Sequence, residues 1–247
     1  ITSIAEVWRG ETKFALVHGG GPQISRFMEK MGKNPAFVNG LRITDRDDMD
    51  LIEMVLSGLL NKTLVGMFHR NGIDACGISG RDSRLLVAEK HSVVQADESF
   101  DIGRVGEIVQ VNPKLIEVLW DNNILPVVSP VSIDKQDGSS LNVNADWAAA
   151  QLAIHLHAEK LFLFTDVPGV LADPTSPSSL IEILPVGDIP LLIQRGIVSG
   201  GMIPKLQMIQ KVLQDGVGEV FIAGGSSLEN LDQLFQGQSV VGTKIIP

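Results

Sequence analysis

The sequence predicts an α/β fold in which helices cover both faces of a mainly parallel sheet. Short apolar runs of strand-like composition alternate along the chain with longer segments of helical periodicity. Strands that are buried on both faces show such continuously apolar runs, and parallel strands need a helical connection between them. Apolar residues make up 44% of the 247 residues, which is enough for the core that this architecture needs.

Individual elements follow from these patterns. The predicted strands are residues 14–17, 73–78, 124–128, 161–164 and 219–222. The predicted helices are residues 24–31, 47–70, 113–122, 145–157, 188–195 and 204–214. The segment 85–111 interrupts the alternation because two strand-like runs flank a polar patch, and it predicts a hairpin.

Composition narrows the class of function. The formal net charge of -9 argues against a nucleic-acid binder, which needs a basic surface. It does not argue against an anionic substrate, since a few local Lys and Arg can hold a phosphate. Cys76 is the only cysteine, which is typical of a reducing compartment, so we expect a cytoplasmic protein. No signal peptide and no apolar run of about 20 residues is visible, so we expect no membrane partner.

The first motif is a strand that ends in three glycines, Gly19, Gly20 and Gly21, with Pro22 starting the next helix. Consecutive glycines let the backbone approach a ligand, and a helix N-terminus behind them favours negative charge. The spacing matches neither common phosphate-binding glycine motif, so an ordinary flexible turn stays open as an alternative. His18 is interpreted as a hydrogen-bonded structural histidine rather than a base.

The second motif is NGLRITD, residues 39–45. Thr44 or Asp45 can cap the helix that follows. Arg42 lies just before this cap, and its planar guanidinium can bind a carboxylate through two parallel hydrogen bonds. The alternative is an ion pair between Arg42 and a surface acid.

The third motif is LNVNAD, residues 141–146, which precedes an alanine-rich helix. Asn142 and Asn144 would share one face of an extended segment, and Asp146 would begin the helix. Helix capping by Asn144 or Asp146 is the simple interpretation. Capping needs only one of the three polar side chains, which suggests that the others hold a ligand.

Two further motifs lie in the second half of the chain. In 161–171 a buried strand brings Thr165 and Asp166 to its carboxyl end, where nucleotides bind in open α/β sheets. An ordinary turn is equally compatible with this motif. In 198–205 a serine and two glycines precede a helix with Lys205 in its first turn. A lysine there opposes the helix dipole unless an anion lies beside it, although a solvated surface lysine is the alternative.

Taken together, HGGGP, NGLRITD, NVNAD, TDVPGVL and SGGMIPK occur in the order found in acetylglutamate kinases, a branch of the amino-acid kinase family. The sequence resembles this family from about His18 to its end, including 101–108 and 242–245. The resemblance implies a three-layer αβα sandwich that phosphorylates the side-chain carboxylate of N-acetyl-L-glutamate with ATP and Mg²⁺, in arginine biosynthesis. It implies one kinase domain over 1–247, with an approximate acetylglutamate lobe over 1–157 and an approximate ATP lobe over 158–247.

The resemblance also implies roles for individual residues. Gly20 and Gly21 resemble the backbone donors around the reacting phosphoryl group and substrate. Arg42 resembles the clamp for the α-carboxylate of the substrate, and Asn142 resembles a second substrate contact.

For catalysis, Asp146 resembles the residue that orients the catalytic lysines, and Lys205 resembles the lysine that stabilises the transition state from the ATP side. No protein side chain is assigned to the metal. The nucleotide-contacting residues are expected to be Asp166, Val167, Pro168, Gly169, Val170, Leu171, Ile197, Val198 and Ser199.

These roles agree with the chemistry. A substrate carboxylate with a pKa of about 4.3 is already an anion at neutral pH, so no general base is needed. Positioning and electrostatic stabilisation do most of the work in phosphoryl transfer. Two alternatives stay open: a sister kinase that acts on another acyl substrate, and a non-catalytic homologue that binds the ligands without turnover.

The family begins with a strand that carries a lysine and a Gly-Gly turn, and the sequence here resembles the family only after that strand. We therefore expect a natural start upstream of Ile1, which intact-mass spectrometry of the natural protein would reveal. The apolar helical segment 51–68 also leads us to expect a homodimer, although a higher oligomer is possible.

Overall fold

The computed structural model describes residues 1–9, 12–95, 98–173, 175–225, 227, 231–235 and 242–247. Its helices are α1 (Thr2–Arg9), α2 (Gly21–Lys30), α3 (Arg46–Glu53), α4 (Asn61–Arg70), α5 (Lys114–Asp121), α6 (Ala145–His155), α7 (Ile189–Gln194), α8 (Met202–Gln214) and α9 (Leu231–Phe235). Its strands are β1 (Leu16–Val17), β2 (Phe37–Val38), β3 (Leu41–Arg42), β4 (Ala75–Ser79), β5 (Leu86–Gln95), β6 (Glu98–Val111), β7 (Leu125–Ser129), β8 (Ser132–Asp134), β9 (Ser140–Leu141), β10 (Lys160–Thr165), β11 (Ile183–Pro185), β12 (Glu219–Gly224) and β13 (Thr243–Ile246).

The chain divides into two compact units. The first-half unit comprises Lys13–Ala148, and the second-half unit comprises Ile1–Thr12 together with Ala149–Pro247. The boundary in sequence between the two units, Ala148/Ala149, falls within the range of α6.

A parallel three-stranded sheet, in the order β1–β7–β4, forms the centre of the first-half unit. All residues of β7 are buried, as expected for a strand that is covered on both faces. Leu16 of β1 and Gly77 of β4 both pair with Val127, so the carboxyl ends of these strands reach the same edge. The glycine turn after β1 therefore starts at the ligand-binding edge that the sequence predicts.

A continuous helical segment, Arg46–Arg70, packs beside this sheet. Its middle, Met54–Leu60, is π-helical and joins α3 to α4. Val55 and Leu56 from this part pack in an apolar cluster with residues of α2 and α3. Among the described helices, Arg46–Arg70 alone is long and apolar enough to cross a membrane. A single such helix is weak evidence for crossing, and core helices of globular proteins have the same character.

The predicted hairpin is formed by β5 and β6, and its strands extend through the polar patch. The pairing of the two strands is irregular near its middle. There the backbone of β6 forms parallel bridges to two other segments, through Gly103 to Thr44 and through Val105 to Asn142. The hairpin thus contacts the NGLRITD and LNVNAD motifs.

The sheet of the second-half unit has the order β10–β12–β13–β11. β10 and β12 pair in parallel from Lys160 and Glu219 to Thr165 and Gly224, whereas β13 runs antiparallel to β12 and parallel to β11. Buried residues of α6 and α8 form a common core with this sheet. The carboxyl ends of β10 and β12 lie side by side, where the sequence predicts a nucleotide.

The predicted α/β fold class is confirmed, because parallel strands alternate with packed helices. Each predicted strand and helix has a counterpart whose ends differ by a few residues. Six strands are not among the predicted ones, namely β2, β3, β8, β9, β11 and β13. These strands have only two to four residues, which is too short for a clear periodic pattern.

Candidate active site

A cavity of about 220 Å³ in the first-half unit brings together Gly20, Gly21, Arg42 and Asn142. These are the predicted substrate-binding residues, and they come from three separate sequence motifs. The apolar part of the wall is formed by side chains from eight positions, namely Ile24, Phe37, Leu41, Leu56, Val105, Pro130, Val143 and Ala145. A small cavity with an apolar wall and a few convergent polar groups is typical of a site for a small ligand.

The glycine turn follows β1, and α2 begins at Gly21 with proline in its first turn. A Cβ at Gly20 would lie 2.4 Å from Leu60 Cδ1 and 2.6 Å from Leu56 Cδ2, so a side chain here would displace these two leucine side chains. No side-chain hydrogen bond from the described residues caps α2. The first N–H groups of α2 are therefore suited to hold an anion at the wall of the cavity.

Arg42 is 6% exposed and is held by α2. Its Nη2 donates to the Gly21 carbonyl oxygen at 3.1 Å and to Ser25 Oγ at 2.8 Å. Its Nη1 lies 3.3 Å from Met28 Sδ, and its Cζ lies 4.6 Å from the centroid of the Phe37 ring. These contacts fix the plane of the guanidinium beside the glycine turn.

No ion pair links Arg42 to an acidic side chain in the described part of the chain. Burial lowers the pKa of Arg42, and the negative charge of Asp48 opposes this effect. An arginine nevertheless stays charged at neutral pH. A buried cation is costly unless a partner compensates it, so an anionic ligand in the cavity would complete this site.

In the third motif, LNVNAD, one of the three polar side chains caps the helix that follows. Asn144 Oδ1 accepts the N–H groups of Asp146 at 2.8 Å and Trp147 at 3.2 Å, so Asn144 caps α6. Asn142 lies at the cavity, and its Nδ2 donates to Thr44 Oγ1 at 3.3 Å. Asp146 lies in the first turn of α6. Capping thus accounts for Asn144 alone.

In the second-half unit, the turn after β10 carries the predicted nucleotide-contacting segment. Asp166 follows the last residue of β10, and its Oδ1 accepts a hydrogen bond from the Thr165 hydroxyl at 2.9 Å. The Val170 N–H donates to the buried Thr243 Oγ1 at 2.8 Å. Gly169 has φ of 157°, and a Cβ there would lie 2.6 Å from Thr243 Oγ1. Strand β13 therefore holds this turn in one conformation at the edge of the sheet.

The remaining predicted nucleotide-contacting residues, Ile197, Val198 and Ser199, precede α8. Val198 is buried in the core of the second-half unit, and the Ser199 carbonyl accepts the Met202 N–H at 3.3 Å. Lys205 lies in the first turn of α8. Helix α8 is followed by a short turn into β12 and packs against that strand. Its start therefore lies towards the carboxyl end of β12, where the turn after β10 is found.

A second cavity in the first-half unit, of about 400 Å³, has a different character. It is lined by charged side chains that largely neutralise each other. Arg81 Nη1 lies 2.8 Å from Glu53 Oε1, and Arg104 Nη1 lies 3.3 Å from Asp137 Oδ2. This internal pairing leaves little charge for a ligand, so the smaller cavity is the better candidate site.

Comparison with known proteins identifies the family. The model of the amino acid kinase family matches residues 1–224. The chain belongs to the amino-acid kinase family. This result confirms the resemblance that the five motifs indicated.

Individual relatives in this family agree. The acetylglutamate kinase of Methanobrevibacter smithii is 44% identical over 236 residues, which are 93% of this chain and 80% of the relative. The acetylglutamate kinase of Methanothermobacter thermautotrophicus is 46% identical over 217 residues, which are 85% of this chain and 74% of the relative. The crystal structure of smu.665 from Streptococcus mutans UA159 has a TM-score of 0.79 and 28% identity, covering 99% of this chain and 90% of that one.

His18 connects the glycine turn of this kinase-family chain to its long helix. Its Nδ1 lies 3.1 Å from the Gly19 carbonyl oxygen, and its Nε2 lies 3.2 Å from Asn61 Nδ2. The amide of the fully buried Asn61 also donates to the Val127 carbonyl at 2.9 Å, which fixes its orientation. Because Asn61 Nδ2 is a donor, Nε2 must accept, and the proton of neutral His18 is on Nδ1. His18 is hydrogen-bonded through both ring nitrogens, as predicted.

We expect His18 to make stability fall in acid. Burial lowers the pKa of His18, and its hydrogen bond to the Gly19 backbone opposes this effect. The unfolded chain therefore takes up a proton at a pH where folded His18 stays neutral. The contribution of His18 to the free energy of unfolding is fully present above about pH 6.5. It is lost as the pH falls from there to the lower pKa of the folded state.

Melting temperatures between about pH 5 and 7.5 check this expectation. His18→Asn keeps an N–H for the Gly19 carbonyl but does not titrate, so its melting temperature should change less with pH. His157→Asn is the matched control, because His157 is exposed and its φ of 51° suits asparagine. Equal pH slopes for the wild type and His18→Asn would contradict the assignment.

Sequence reasoning missed several groups at this site. Ser25 and Phe37 contact the Arg42 guanidinium, and Leu56 closes the cavity from the π-helical segment. Ser25 is one turn after the glycine turn, so a helical projection of α2 would have placed it near that turn. The sequence carries no comparable signal for Phe37 or Leu56.

Proposed function

We propose that this chain transfers the γ-phosphoryl group of ATP to the side-chain carboxylate of N-acetyl-L-glutamate. The products are N-acetyl-L-glutamyl 5-phosphate and ADP, and the reaction belongs to arginine biosynthesis. One observation carries the proposal: Arg42 is a buried guanidinium at a small cavity beside a glycine turn, without an acidic partner among the described residues. The acetylglutamate kinases that share 44% and 46% identity with the chain supply the identity of the substrate.

In this proposal, acetylglutamate occupies the cavity of the first-half unit. Arg42 binds the α-carboxylate through its guanidinium, and Asn142 supplies a second polar contact. The apolar wall receives the acetyl methyl group. Gly20 and Gly21 present backbone N–H groups, supported by the α2 dipole, to the reacting carboxylate and the phosphoryl group.

ATP is assigned to the second-half unit. The turn Asp166 to Leu171 and the segment Ile197 to Ser199 contact the nucleotide. Lys205 is assigned to stabilise the charge on the transferring phosphoryl group, and Asp146 is assigned to orient the catalytic lysines. This assignment is supported by the turn at the carboxyl end of β10 and by the position of Lys205 at the start of α8.

The chemical step needs charge stabilisation more than proton transfer. An oxygen of the ionised carboxylate forms a bond to the γ-phosphorus, and the bond from that phosphorus to the β,γ-bridging oxygen breaks. The electron pair of the broken bond leaves with ADP. The carboxylate is already deprotonated, so no side chain has to act as a base.

Mg²⁺ would enter this reaction on the phosphates of ATP and neutralise part of their charge. Among the described residues, no group of three or more His, Cys, Asp or Glu side chains could hold a metal ion. Mg²⁺ commonly keeps several waters and binds through substrate phosphates, and the proposal assigns it to the nucleotide rather than to protein side chains.

The proposal is tested by ATP-dependent acyl-phosphate formation, trapped as a hydroxamate. N-acetyl-L-glutamate should react, whereas N-acetyl-L-aspartate and L-glutamate should react far more slowly. Faster turnover of another acyl substrate would identify a sister kinase. Binding of acetylglutamate and ATP without turnover of any substrate would identify a non-catalytic homologue.

We also propose that the protein acts in the cytoplasm as a homodimer. The exposed apolar residues Met54 and Leu59 on the π-helical segment support this, with exposures of 60% and 48%. Such side chains on one helix favour burial against a second copy. Light scattering should give twice the mass of the chain, and a monomeric mass would refute the dimer.

A further inference from the structure

The hydroxyl group of Thr44 joins the two proposed polar contacts of the substrate. Thr44 has 0% exposed surface. Its Oγ1 donates a hydrogen bond to the Arg42 carbonyl oxygen at 2.8 Å and accepts one from Asn142 Nδ2 at 3.3 Å. A hydroxyl has one proton to donate and lone pairs to accept, so it can make both bonds at once. One buried hydroxyl thus connects Arg42 with Asn142, and Asn142 is 98 positions from Thr44 in the sequence.

Helix capping does not account for this threonine. The cap of α3 is Asp45, whose carboxylate accepts the Asp48 N–H at 2.6 Å. Packing alone does not require a hydroxyl either, because valine has nearly the same shape as threonine. The hydroxyl of Thr44 is therefore explained by its bonds to Arg42 and Asn142.

The backbones of Thr44 and Asn142 are fixed to the same edge of β6. The Arg104 N–H donates to the Thr44 carbonyl, and the Arg104 carbonyl accepts the Asn142 N–H, at 2.6 and 2.8 Å. Thr44 N–H also donates to the Ile102 carbonyl at 3.0 Å, and Gly106 N–H donates to the Asn142 carbonyl at 2.9 Å. The N–H and C=O groups of a strand residue such as Arg104 point to the same edge of the strand. Thr44 and Asn142 therefore occupy neighbouring positions along that edge of β6.

The close approach of β6 to Thr44 depends on Gly103. Its φ is +80°, and a Cβ at this position would lie 2.0 Å from the Thr44 carbonyl oxygen. No other residue type fits there without displacing the backbone of one segment. The backbone of Thr44 is thus hydrogen-bonded to β6, and its side chain is hydrogen-bonded to Asn142.

We propose that Thr44 is a positioning residue that holds Arg42 and Asn142 as one unit for acetylglutamate. The inference rests on the proposed function of the cavity. Thr44 is not part of the cavity wall, so it acts through the other two residues. Its bond to Asn142 Nδ2 sets the orientation of the amide, so that the remaining N–H and Oδ1 face the ligand in one arrangement. Its bond to the Arg42 carbonyl holds the backbone from which the guanidinium extends.

The test compares Thr44→Val, which keeps the shape but loses the hydroxyl, with Thr44→Ser, which keeps the hydroxyl. Thr44→Val should raise the KM for N-acetyl-L-glutamate roughly 3- to 10-fold, the range expected for one lost hydrogen bond. The KM for ATP should not change in either variant, and Thr44→Ser should stay close to the wild type. If Thr44 served only the stability of the fold, its loss would not raise the KM for acetylglutamate while leaving the KM for ATP unchanged.

A second comparison tests the route of the effect. In an Asn142→Ala background, Thr44→Val should raise the KM for acetylglutamate less than it does in the wild type, because no amide remains to be oriented. An equal effect in both backgrounds would mean that Thr44 does not act through Asn142 and would overturn the proposal.

The possible results are distinguishable. A wild-type protein that does not phosphorylate acetylglutamate overturns the proposed function and this inference together. An active wild type with an unchanged KM in Thr44→Val, or with equal losses in the Val and Ser variants, overturns the role of Thr44 alone. If Thr44→Val does not fold, Thr44→Ser and Thr44→Ala make the same comparison, because only serine keeps the hydroxyl.

Discussion

Replacing Lys205 by alanine is expected to lower kcat about 100- to 1000-fold, the usual effect of removing one group that stabilises transition-state charge. Lys205 lies in the first turn of α8, where its charge opposes the helix dipole. In the proposed reaction this charge acts on the phosphoryl group during transfer, so the KM for N-acetyl-L-glutamate should change little. Steady-state kinetics with each substrate varied in turn would measure both constants.

The matched control is Lys211→Ala, which removes the same charge from the last turn of the same helix. It should leave kcat close to the wild-type value. Lys205→Arg keeps the charge and should retain more activity than Lys205→Ala. A Lys205→Ala variant with normal kcat and a raised KM for acetylglutamate would refute the assigned role.

Replacing Arg42 by alanine is expected to raise the KM for N-acetyl-L-glutamate about 10- to 100-fold, as for the loss of a hydrogen-bonded charge. Arg42 is buried at the cavity, and its orientation is set by Gly21, Ser25 and Phe37. In the proposed complex it binds the α-carboxylate, which does not react. The effect should therefore fall mainly on binding, with a smaller loss of kcat, and the KM for ATP should stay the same.

Two variants separate charge from geometry in this prediction. Arg42→Lys keeps the positive charge but loses the planar pair of donors, so its KM should lie between those of the wild type and Arg42→Ala. Arg46→Ala removes an exposed arginine near the same helix start and should leave the KM unchanged. An Arg42→Ala variant that loses turnover but binds acetylglutamate normally would contradict the assignment.

The sequence predicts the elements around the candidate site where local patterns carry the information. The strand that ends at the glycine turn, the hairpin of β5 and β6, and the start of α8 all follow from short-range composition and periodicity. Arg42 and Asn142 attract notice because a polar residue just before a helix needs an explanation. The structure shows that Asp45 and Asn144 cap the helices that follow the two motifs, and that no described acidic side chain forms an ion pair with Arg42.

The remaining features depend on contacts between distant segments. No local pattern indicates that the amide of Asn61 meets the ring of His18, or that the backbone of Arg104 joins Thr44 to Asn142. The π-helical segment Met54–Leu60 also lacks a sequence signature, since its residues suit an ordinary helix. Long-range packing selects these arrangements, and one sequence does not encode them in a readable form.

Two separate segments of the sequence form the second-half unit, and this affects its folding during synthesis. Helix α1 packs against α9, and its residues Ile4, Val7 and Trp8 are buried. Yet all of Lys13–Ala148 is synthesised before the rest of that unit is made. At about 5–20 residues per second, α1 waits for many seconds with its apolar side uncovered, while the first-half unit can already fold. A chaperone that binds short amphipathic helices would therefore find its target in nascent chains and lose it once the last strands are complete.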